Sequence, residues 1–497
     1  MWRAVTAATS SSAKAPSGAF ARCCGFRDRP ESSRFQWSGI AVMSGAMADT
    51  GDISRARICI DFGTALSKAA VCLDPTLPLE VGVKPLPIGA ISGAEHPLLT
   101  PSVVYVDGGR LYFGPIGFEH ARRGVENGRD PLLSFKTVLG AKNLDEALAT
   151  KIKPSVDPTG TFTHRDILVV YLAYLDQLIA EALELAPNMP PGTALARRRY
   201  TSPVWRPGSG IEQVFERIFN EAAAISFKLG RLLLSREGVS IAQTRDALDK
   251  ARANPADGML ETGIFEPHAA AAAALAFTTQ PTNHVMVFDM GAGTTDIAAF
   301  EFDDRMDPPT LSEIKDARQC SALAGDEIDR ILIELMMRKA GIEKGKEEEE
   351  RAARIARLAG RGLKHELMRT GRTALKLGWR TLQVRAQDLQ EDERFRAYLA
   401  ALMRTIAVSL QVVVQRAQAM NAGVVDVVMA GGGAHLSFMP SVVQKAADSL
   451  QTQVRVRIGP LSPINPIYEG IDPILANVFP QIAMSVGGAL VEMMPAR

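Results

Sequence analysis

The sequence has few cysteines, no long hydrophobic run and almost no net charge. Its five cysteines are odd in number and show no metal-ligand spacing. Two of them, Cys59 and Cys72, fall within predicted buried strands, where a thiol behaves as a small apolar side chain. This cysteine usage fits a reducing compartment best, and we expect a cytoplasmic protein.

Charge and hydropathy argue against two further classes of protein. Lysine and arginine number 56 against 55 acidic residues, so the net charge of +1 argues against a general nucleic-acid binder. The longest apolar run, residues 269–277, is short and mostly alanine, so we expect no membrane span. A chain of 497 residues is too long for a single hydrophobic core, which predicts two or more domains.

The most informative stretch is residues 284–302, which read as two buried strands joined by a tight turn. The first apolar run ends at Asp289, and the second begins just after Asp296. The turn between them is Gly291-Ala292-Gly293-Thr294. Its backbone N–H groups and threonine hydroxyl form a donor array that suits a phosphate, and the flanking carboxylates suit a hydrated magnesium ion. A plain glycine-rich hairpin with a capping aspartate is the alternative.

The same pattern occurs earlier in the chain. Residues 57–74 read as a strand ending at Asp61, a turn at Gly63-Thr64 and a second apolar strand from residue 69. Two copies predict two similar lobes. If each lobe supplies one such hairpin, the pair can hold a nucleotide's phosphates from both sides of a cleft.

Two charged residues stand out in the first half. Lys136 lies among apolar neighbours, and a partly buried ammonium group needs an anion. It is therefore a candidate phosphate or water contact, although a simple amphipathic-helix lysine fits the spacing equally. Glu266 lies at a strand-to-helix junction before Pro267, where a carboxylate serves as a helix cap or as a general base.

Other segments complete the sequence pattern. Residues 102–106 and 110–113 predict a β-hairpin, and residues 424–433 predict a buried strand that runs into a glycine turn. The charged run 339–380 is typical of a solvated helical face. Gly487-Gly488, in an apolar helical pattern, predicts close packing.

Residues 1–54 differ in composition from the rest and show no regular apolar period. We favour a disordered N-terminal extension, or a start later in the chain at Met43 or Met47. An organelle-targeting peptide is the alternative.

The Asp61 hairpin, the Asp289 hairpin and the Gly431-Gly432-Gly433 turn resemble, in order and approximate spacing, three motifs of the actin-like ATPase superfamily. These are its phosphate-1, phosphate-2 and adenosine motifs. Within the superfamily, the chain is most similar to the nucleotide-binding domain of DnaK-type heat-shock chaperones. The resemblance runs from about residue 55 to the C-terminus. Residues 135–140 (FKTVLG), 265–271 (FEPHAAA), 324–329 (AGDEID) and 486–489 (VGGA) support it.

The resemblance implies a catalytic centre and a metal site. Asp61 and Asp289 would bind the hydrated magnesium ion. Lys136 and Glu266 would orient the attacking water and accept its proton, beside Asp289 and Thr294. The phosphates would contact the two turns, namely Gly63, Thr64, Gly291, Ala292, Gly293 and Thr294.

The resemblance also implies an adenosine site. The Gly431-Gly432-Gly433 turn would let the adenosine lie close to the backbone. Glu366 and Arg369 match the nucleotide-facing helix of the family's smaller subdomain.

The chain departs from the family pattern at several positions. Ala65 replaces a threonine of the first turn, and Ala292 replaces the middle glycine of the second. Thr370 and His435 stand where the family has arginines near the base, which puts the affinity for the base in doubt. Gln481 replaces an acidic residue of the last motif. We also expect the family's β-rich substrate-binding domain to be absent.

The implied fold is α/β and two-lobed, with a mixed sheet flanked by helices in each lobe and ATP between the lobes. Lobe I would comprise residues 55–280 with an inserted subdomain at about 91–165. Lobe II would comprise residues 284–497 with a helical insertion at about 331–395.

The implied function is a chaperone-type ATPase that uses ATP, ADP and Mg²⁺. It would switch lobe closure with nucleotide state and act through a partner protein or co-chaperone. A filament-forming actin-like ATPase, a small-molecule kinase and a catalytically inactive scaffold are the alternatives.

Overall fold

The structure of the chain is a computed structural model. It describes residues 56–74, 77, 82–187, 189–202, 210–261, 263–276, 283–303, 305, 310–342, 345, 347–378, 380–460 and 473–490. The predicted extension 1–54 lies outside these residues.

The described strands and helices are numbered in chain order. The strands are β1 (Arg57–Asp61), β2 (Leu66–Cys72), β3 (Val83–Pro85), β4 (Thr100–Pro101), β5 (Val103–Asp107), β6 (Arg110–Phe113), β7 (Leu132–Leu133), β8 (Arg197–Ser202), β9 (Val239–Ser240), β10 (Ile264–Phe265), β11 (His284–Met290), β12 (Thr295–Asp303), β13 (Thr310–Glu313), β14 (Gln319–Ser321), β15 (Arg372–Leu377), β16 (Arg380–Arg385), β17 (Val424–Ala430) and β18 (Arg455–Pro460). The helices are α1 (Ile88–Ser92), α2 (Gly114–Gly124), α3 (Leu144–Ala149), α4 (His164–Leu185), α5 (Ile211–Leu229), α6 (Ile241–Ala253), α7 (Glu266–Ala276), α8 (Gly325–Lys339), α9 (Glu347–Thr370), α10 (Ala386–Glu391), α11 (Glu393–Ala419), α12 (Met439–Asp448) and α13 (Pro473–Ala489).

Two mixed sheets form the centres of the two lobes. The first has the order β10-β8-β1-β2-β3, with β4 paired to β2. The second has the order β13-β12-β11-β17-β18, with β14 paired to β12. In each sheet an antiparallel hairpin lies beside a parallel strand: β1 pairs with β2 and β8, and β11 pairs with β12 and β17. The repeated sequence pattern therefore gives a repeated topology, and the two-lobed α/β fold is confirmed.

Both lobes carry additions to the central sheet. The predicted hairpin of lobe I is β5–β6, and it belongs to a small sheet of order β7-β5-β6-β9. The region 331–395 of lobe II was expected to be helical, but it also contains the hairpin β15–β16. Leu375, Leu382 and Val384 are buried on one face of that hairpin. Buried and exposed residues alternate in these two short strands, as expected of a β-hairpin. The surrounding sequence is densely charged, so this alternation was not recognised in the sequence.

Two helices pack between the central sheets. Alanines of α7 share an apolar cluster with Phe479 and Ala483 of α13 and with Val285 and Val287 of β11. A Cβ added at Gly487 would lie 1.8 Å from the Ala269 carbonyl oxygen, so the predicted close packing is confirmed. Helix α13 also contacts β1, β2 and β8, although we expected this part of the chain in lobe II.

One helix among the described residues, α11, is long and apolar enough to cross a membrane by length and composition alone. Core helices of soluble proteins meet the same criteria, and Leu402, Ile406, Leu410 and Val413 of α11 belong to the buried core of lobe II. The absence of a membrane span stays a prediction.

Candidate functional site

The turns of the two hairpins lie close together. A Cβ added at Gly293 would lie 3.1 Å from Thr64 Cγ2 and 3.0 Å from Thr137 Cγ2. A Cβ at Gly63 would lie 2.1 Å from the Leu66 carbonyl oxygen, so the first turn requires glycine there. The arrangement brings both predicted phosphate-binding turns to one place.

Asp61 is the last residue of β1, and each of its carboxylate oxygens accepts a hydrogen bond. Its Oδ2 accepts a hydrogen bond from Lys68 Nζ at 2.8 Å, and its Oδ1 accepts one from Thr201 Oγ1 at 3.2 Å. Lys68 lies directly opposite Asp61 in the β1–β2 register. The carboxylate is therefore already paired within the chain.

Asp289 lies at the corresponding position near the end of β11, but its environment differs. Its Oδ1 is buried and has no hydrogen-bond partner. Carboxylate oxygens of Glu266, Asp289 and Asp296 lie within 4.8 Å of one another. Three hard oxygen ligands around an unpaired buried oxygen fit a magnesium ion, because such an ion would offset the cost of burying their charges.

Lys136 and Glu266 form a buried ion pair. Lys136 lies in a 3₁₀ helix at Phe135–Gly140, and Glu266 is the first residue of α7. Lys136 Nζ donates to Glu266 Oε1 at 2.6 Å. The anion that the buried Lys136 requires is thus the predicted general base.

The site carries excess negative charge. It holds four buried carboxylates, from Asp61 (1% exposed), Glu266 (7%), Asp289 (5%) and Asp296 (3%), and two buried lysines, Lys68 (9%) and Lys136 (9%). The formal charge is therefore −2 when all six groups are ionised. A divalent cation would neutralise it.

Burial and the neighbouring charges together raise the pKa values of Asp289, Glu266 and Lys136. Burial raises the pKa of Asp289 well above its usual value, and the neighbouring Glu266 and Asp296 raise it further. Burial also raises the pKa of Glu266, and the opposing effect of Lys136 does not cancel this. For Lys136, burial alone would lower the pKa, but the surrounding carboxylates outweigh it and the pKa rises.

The second turn is fixed by the backbone around it. Gly291 N donates to the Thr294 carbonyl at 2.9 Å, and Thr294 Oγ1 donates to Asp296 Oδ2 at 2.8 Å. Gly325 N donates to the Gly291 carbonyl at 3.1 Å, and Asp326 N donates to the Ala292 carbonyl at 2.8 Å. The start of α8 therefore supports this turn.

The glycine turn after β17 approaches the same cluster. Gly431 has a φ of +71°, and a Cβ there would lie 2.2 Å from Asp289 Oδ1. A Cβ at Gly433 would lie 2.4 Å from Met290 Cβ, whereas Gly432 has open space. Two of the three glycines thus permit close packing on the end of β11.

Helix α9 lies near the Gly291–Thr294 turn and the Gly431 turn. Lys364 Nζ donates to the Gly325 carbonyl at 2.9 Å, and His365 interacts electrostatically with His435. Glu366 Oε2 accepts a hydrogen bond from Thr373 Oγ1 at 2.6 Å, and Arg369 is exposed. The described contacts connect α9 to the start of α8 and to His435, which follows the Gly431 turn, but they do not join Arg369 to the carboxylate cluster.

Three residues near the cluster were missing from the predicted site. Lys68 could have been found, because pairing Asp61 with the second strand of its hairpin places a lysine opposite it. Asp296 was noted beside the turn but was not included among the metal ligands. Cys320 lies opposite Asp296 in the β12–β14 register, and burial together with that carboxylate raises the pKa of its thiol to about 12. No sequence motif indicated Cys320.

Residues 262–460 match the family model described as Hsp70 protein. A search of curated proteins finds no match. The matched segment contains Glu266, the Asp289 hairpin, α9 and the Gly431 turn. Together with the two-lobed fold, this match supports similarity to the nucleotide-binding domain of the Hsp70 family, which belongs to the actin-like ATPase class.

Proposed function

We propose that this chain binds ATP and ADP with Mg²⁺ between its lobes, hydrolyses ATP slowly, and changes lobe closure with the nucleotide state. It would act in the cytoplasm through a partner protein. The observation that carries the proposal is the opposition of the two turns, Gly63-Thr64 and Gly291-Thr294, beside buried carboxylates and lysines. Phosphoryl transfer requires mainly positioning and charge neutralisation, which this set of groups supplies.

The two turns, Glu266 and Lys136 would each have a different role in ATP hydrolysis. Backbone N–H groups of the two turns and the hydroxyls of Thr64 and Thr294 would hold the phosphates. Glu266 would accept the proton of the attacking water, because its raised pKa makes it a stronger base than an ordinary carboxylate. Lys136 would orient that water and hold Glu266 in place.

The metal would be held by Asp289 and Asp296, whose oxygens already lie close together, and Glu266 beside them would remain free to act as the base. Magnesium, when bound, neutralises charge on the phosphates. The adenosine would lie between the Gly431 turn and α9, with Glu366 and Arg369 on its helical side.

Calorimetric titration with ATP and ADP in Mg²⁺, together with phosphate release, tests the proposal. Saturable binding of both nucleotides with slow release of phosphate is expected. Tight ATP binding without hydrolysis would instead support a nucleotide-sensing scaffold. Nucleotide-dependent sedimentation would support a filament-forming protein. Absence of nucleotide binding would refute the proposal.

A further inference from the structure

Lys364 is a buried lysine of α9 that the proposed hydrolysis does not use. The residue is only 7% exposed. Its Nζ donates to the Gly325 carbonyl at 2.9 Å and lies 3.0 Å from Asp329 Oδ1. Both partners belong to α8, and they compensate the ammonium group for its lost hydration. These contacts therefore fix one point of α9 on the start of α8.

Gly325 connects Lys364 to the second phosphate turn. The Gly325 N–H donates to the Gly291 carbonyl at 3.1 Å, while the Gly325 carbonyl accepts from Lys364. A Cβ added at Gly325 would lie 3.2 Å from both the Gly291 carbonyl oxygen and Lys364 Nζ, and 3.5 Å from Ala292 Cα. The ammonium group and the backbone of the turn thus meet at a residue whose missing side chain lets them approach.

Helix α9 also lies close to α8 one helical turn before Lys364. A Cβ added at Gly360 would lie 3.5 Å from Asp329 Cβ. Gly360 and Lys364 are four positions apart, so both lie on the face of α9 that packs on α8. Glu366 and Arg369, the proposed adenosine contacts, follow on the same helix. A shift of α9 at Lys364 would therefore move them relative to the turn.

We propose that Lys364 is a positioning residue of the nucleotide site, which sets the position of α9, on the adenosine side, relative to the Gly291–Thr294 turn, on the phosphate side. The inference rests on the proposed nucleotide function. A nucleoside diphosphate contacts both sides at once, so its affinity depends on how well their relative position is fixed before binding. Inorganic pyrophosphate contacts only the turns, and its affinity does not depend on α9.

The first test measures binding of ADP and of inorganic pyrophosphate by calorimetry in Mg²⁺. Lys364→Met should weaken ADP binding about tenfold, which is within the usual range for coupling between two sites. Its affinity for pyrophosphate should stay within about twofold of the parent value, because the turns themselves are unchanged. Lys376→Met, which removes an exposed lysine from β15, is the matched control and should bind both probes as the parent does.

The second test measures steady-state ATP hydrolysis. Lys364→Met should raise KM about tenfold and change kcat by less than about threefold, because the variant loses ground-state binding while Lys136 and Glu266 keep their places. A residue that only kept the chain folded would lower the active fraction, and thus kcat, and leave KM unchanged. In a parent that binds ATP without hydrolysing it, the calorimetric comparison decides alone.

Lys364→Met leaves Asp329 buried without its counter-ion and is therefore open to misfolding. The double variant Lys364→Met with Asp329→Leu replaces the buried ion pair by an apolar contact, a change that is often neutral for stability. The link to Gly325 stays lost, so the double variant should show the same selective loss of ADP affinity.

Parent-like ADP affinity in the double variant would overturn the inference. Equal losses of ADP and pyrophosphate affinity would also overturn it, because Lys364 would then only support the turn. A parent that binds no ADP would refute the proposed function itself, and the role of Lys364 with it.

Discussion

Lys136 and Glu266, which are 130 positions apart in the sequence, form a buried ion pair with 2.6 Å between Nζ and Oε1. One comes from the insertion of lobe I and the other from the first turn of α7. Their pairing places a candidate general base and a cation beside three more carboxylates. This pair underlies the first prediction.

Lys136→Ala should abolish ATP turnover while ATP still binds, because the two turns and the adenosine site supply most ground-state contacts. Glu266→Ala should reduce single-turnover hydrolysis by about 10²- to 10⁴-fold, the usual value of a general base, and leave measurable residual activity. Both variants are compared by rapid-quench hydrolysis and calorimetric ATP binding. Hydrolysis at the parent rate in both variants would remove these residues from the chemical step.

Asp289→Asn should stabilise the metal-free fold at pH 8. The folded-state pKa of Asp289 is raised, first by burial, so the folded state binds its proton more tightly than the unfolded state does. The stability from this proton is complete below the unfolded pKa and is lost as pH rises through the folded pKa. At pH 8 the parent therefore buries an uncompensated charge that the variant lacks.

Thermal unfolding in EDTA from pH 8 to pH 5 measures this difference. The variant should have the higher Tm at pH 8, by roughly 2 °C for each kcal/mol gained, and the gap should narrow as pH falls. Asp316→Asn, at an exposed position, is the control and should show no such trend. A lower Tm for Asp289→Asn throughout would contradict the argument.

Asp326→Ala should speed nucleotide release. Ser134 Oγ donates to Asp326 Oδ2 at 2.7 Å, and Arg361 Nη2 donates to Ser134 Oγ at 3.3 Å. These contacts join the insertion of lobe I to lobe II, and Ser134 precedes Lys136 in a left-handed conformation with a φ of 52°. Opening the cleft would break them.

Release of a fluorescent ADP analogue in stopped flow measures the effect. The rate should rise about fivefold, which corresponds to roughly 1 kcal/mol for a half-exposed polar contact. Asp316→Ala is the exposed control. An unchanged release rate in Asp326→Ala would mean that these contacts do not limit opening.

Gly431→Ala should impair nucleotide binding far more than Gly432→Ala. A methyl group at Gly431 would meet Asp289 Oδ1 at 2.2 Å and would require a left-handed backbone, whereas at Gly432 it meets nothing within 4 Å. Calorimetric ADP titration of the two neighbouring variants provides a matched comparison. Equal affinities would show that the Gly431 turn does not contribute to the site.

The sequence predicted those parts of the fold that depend on local periodicity. The β1–β2 and β11–β12 hairpins and the alanine-rich helix at Pro267 each have their own pattern of apolar residues and turns, and all three are present. The β15–β16 hairpin was missed because its buried residues are few and its neighbours are charged. The contacts of α13 with lobe I depend on tertiary packing, which no local pattern encodes.

In the candidate site, too, the sequence predicted the features that have a local pattern and missed those that depend on tertiary packing. Glycines and aspartates at strand ends were identifiable because turn geometry demands those residue types. The contact between Lys136 and Glu266 could not be derived from spacing, since the chain brings them together only through packing. Lys68 was overlooked because a lysine in an apolar strand gives no signal until the strand register places it opposite Asp61.

Single-turnover ATP hydrolysis in Mg²⁺, measured on the parent and on Asp289→Ala with binding of ATP followed in parallel, tests the central claim most directly. The account predicts one ATP bound per parent chain, slow magnesium-dependent hydrolysis, and no hydrolysis by a folded Asp289→Ala variant. Equal turnover in the two proteins, or no binding of ATP to the parent, would contradict it.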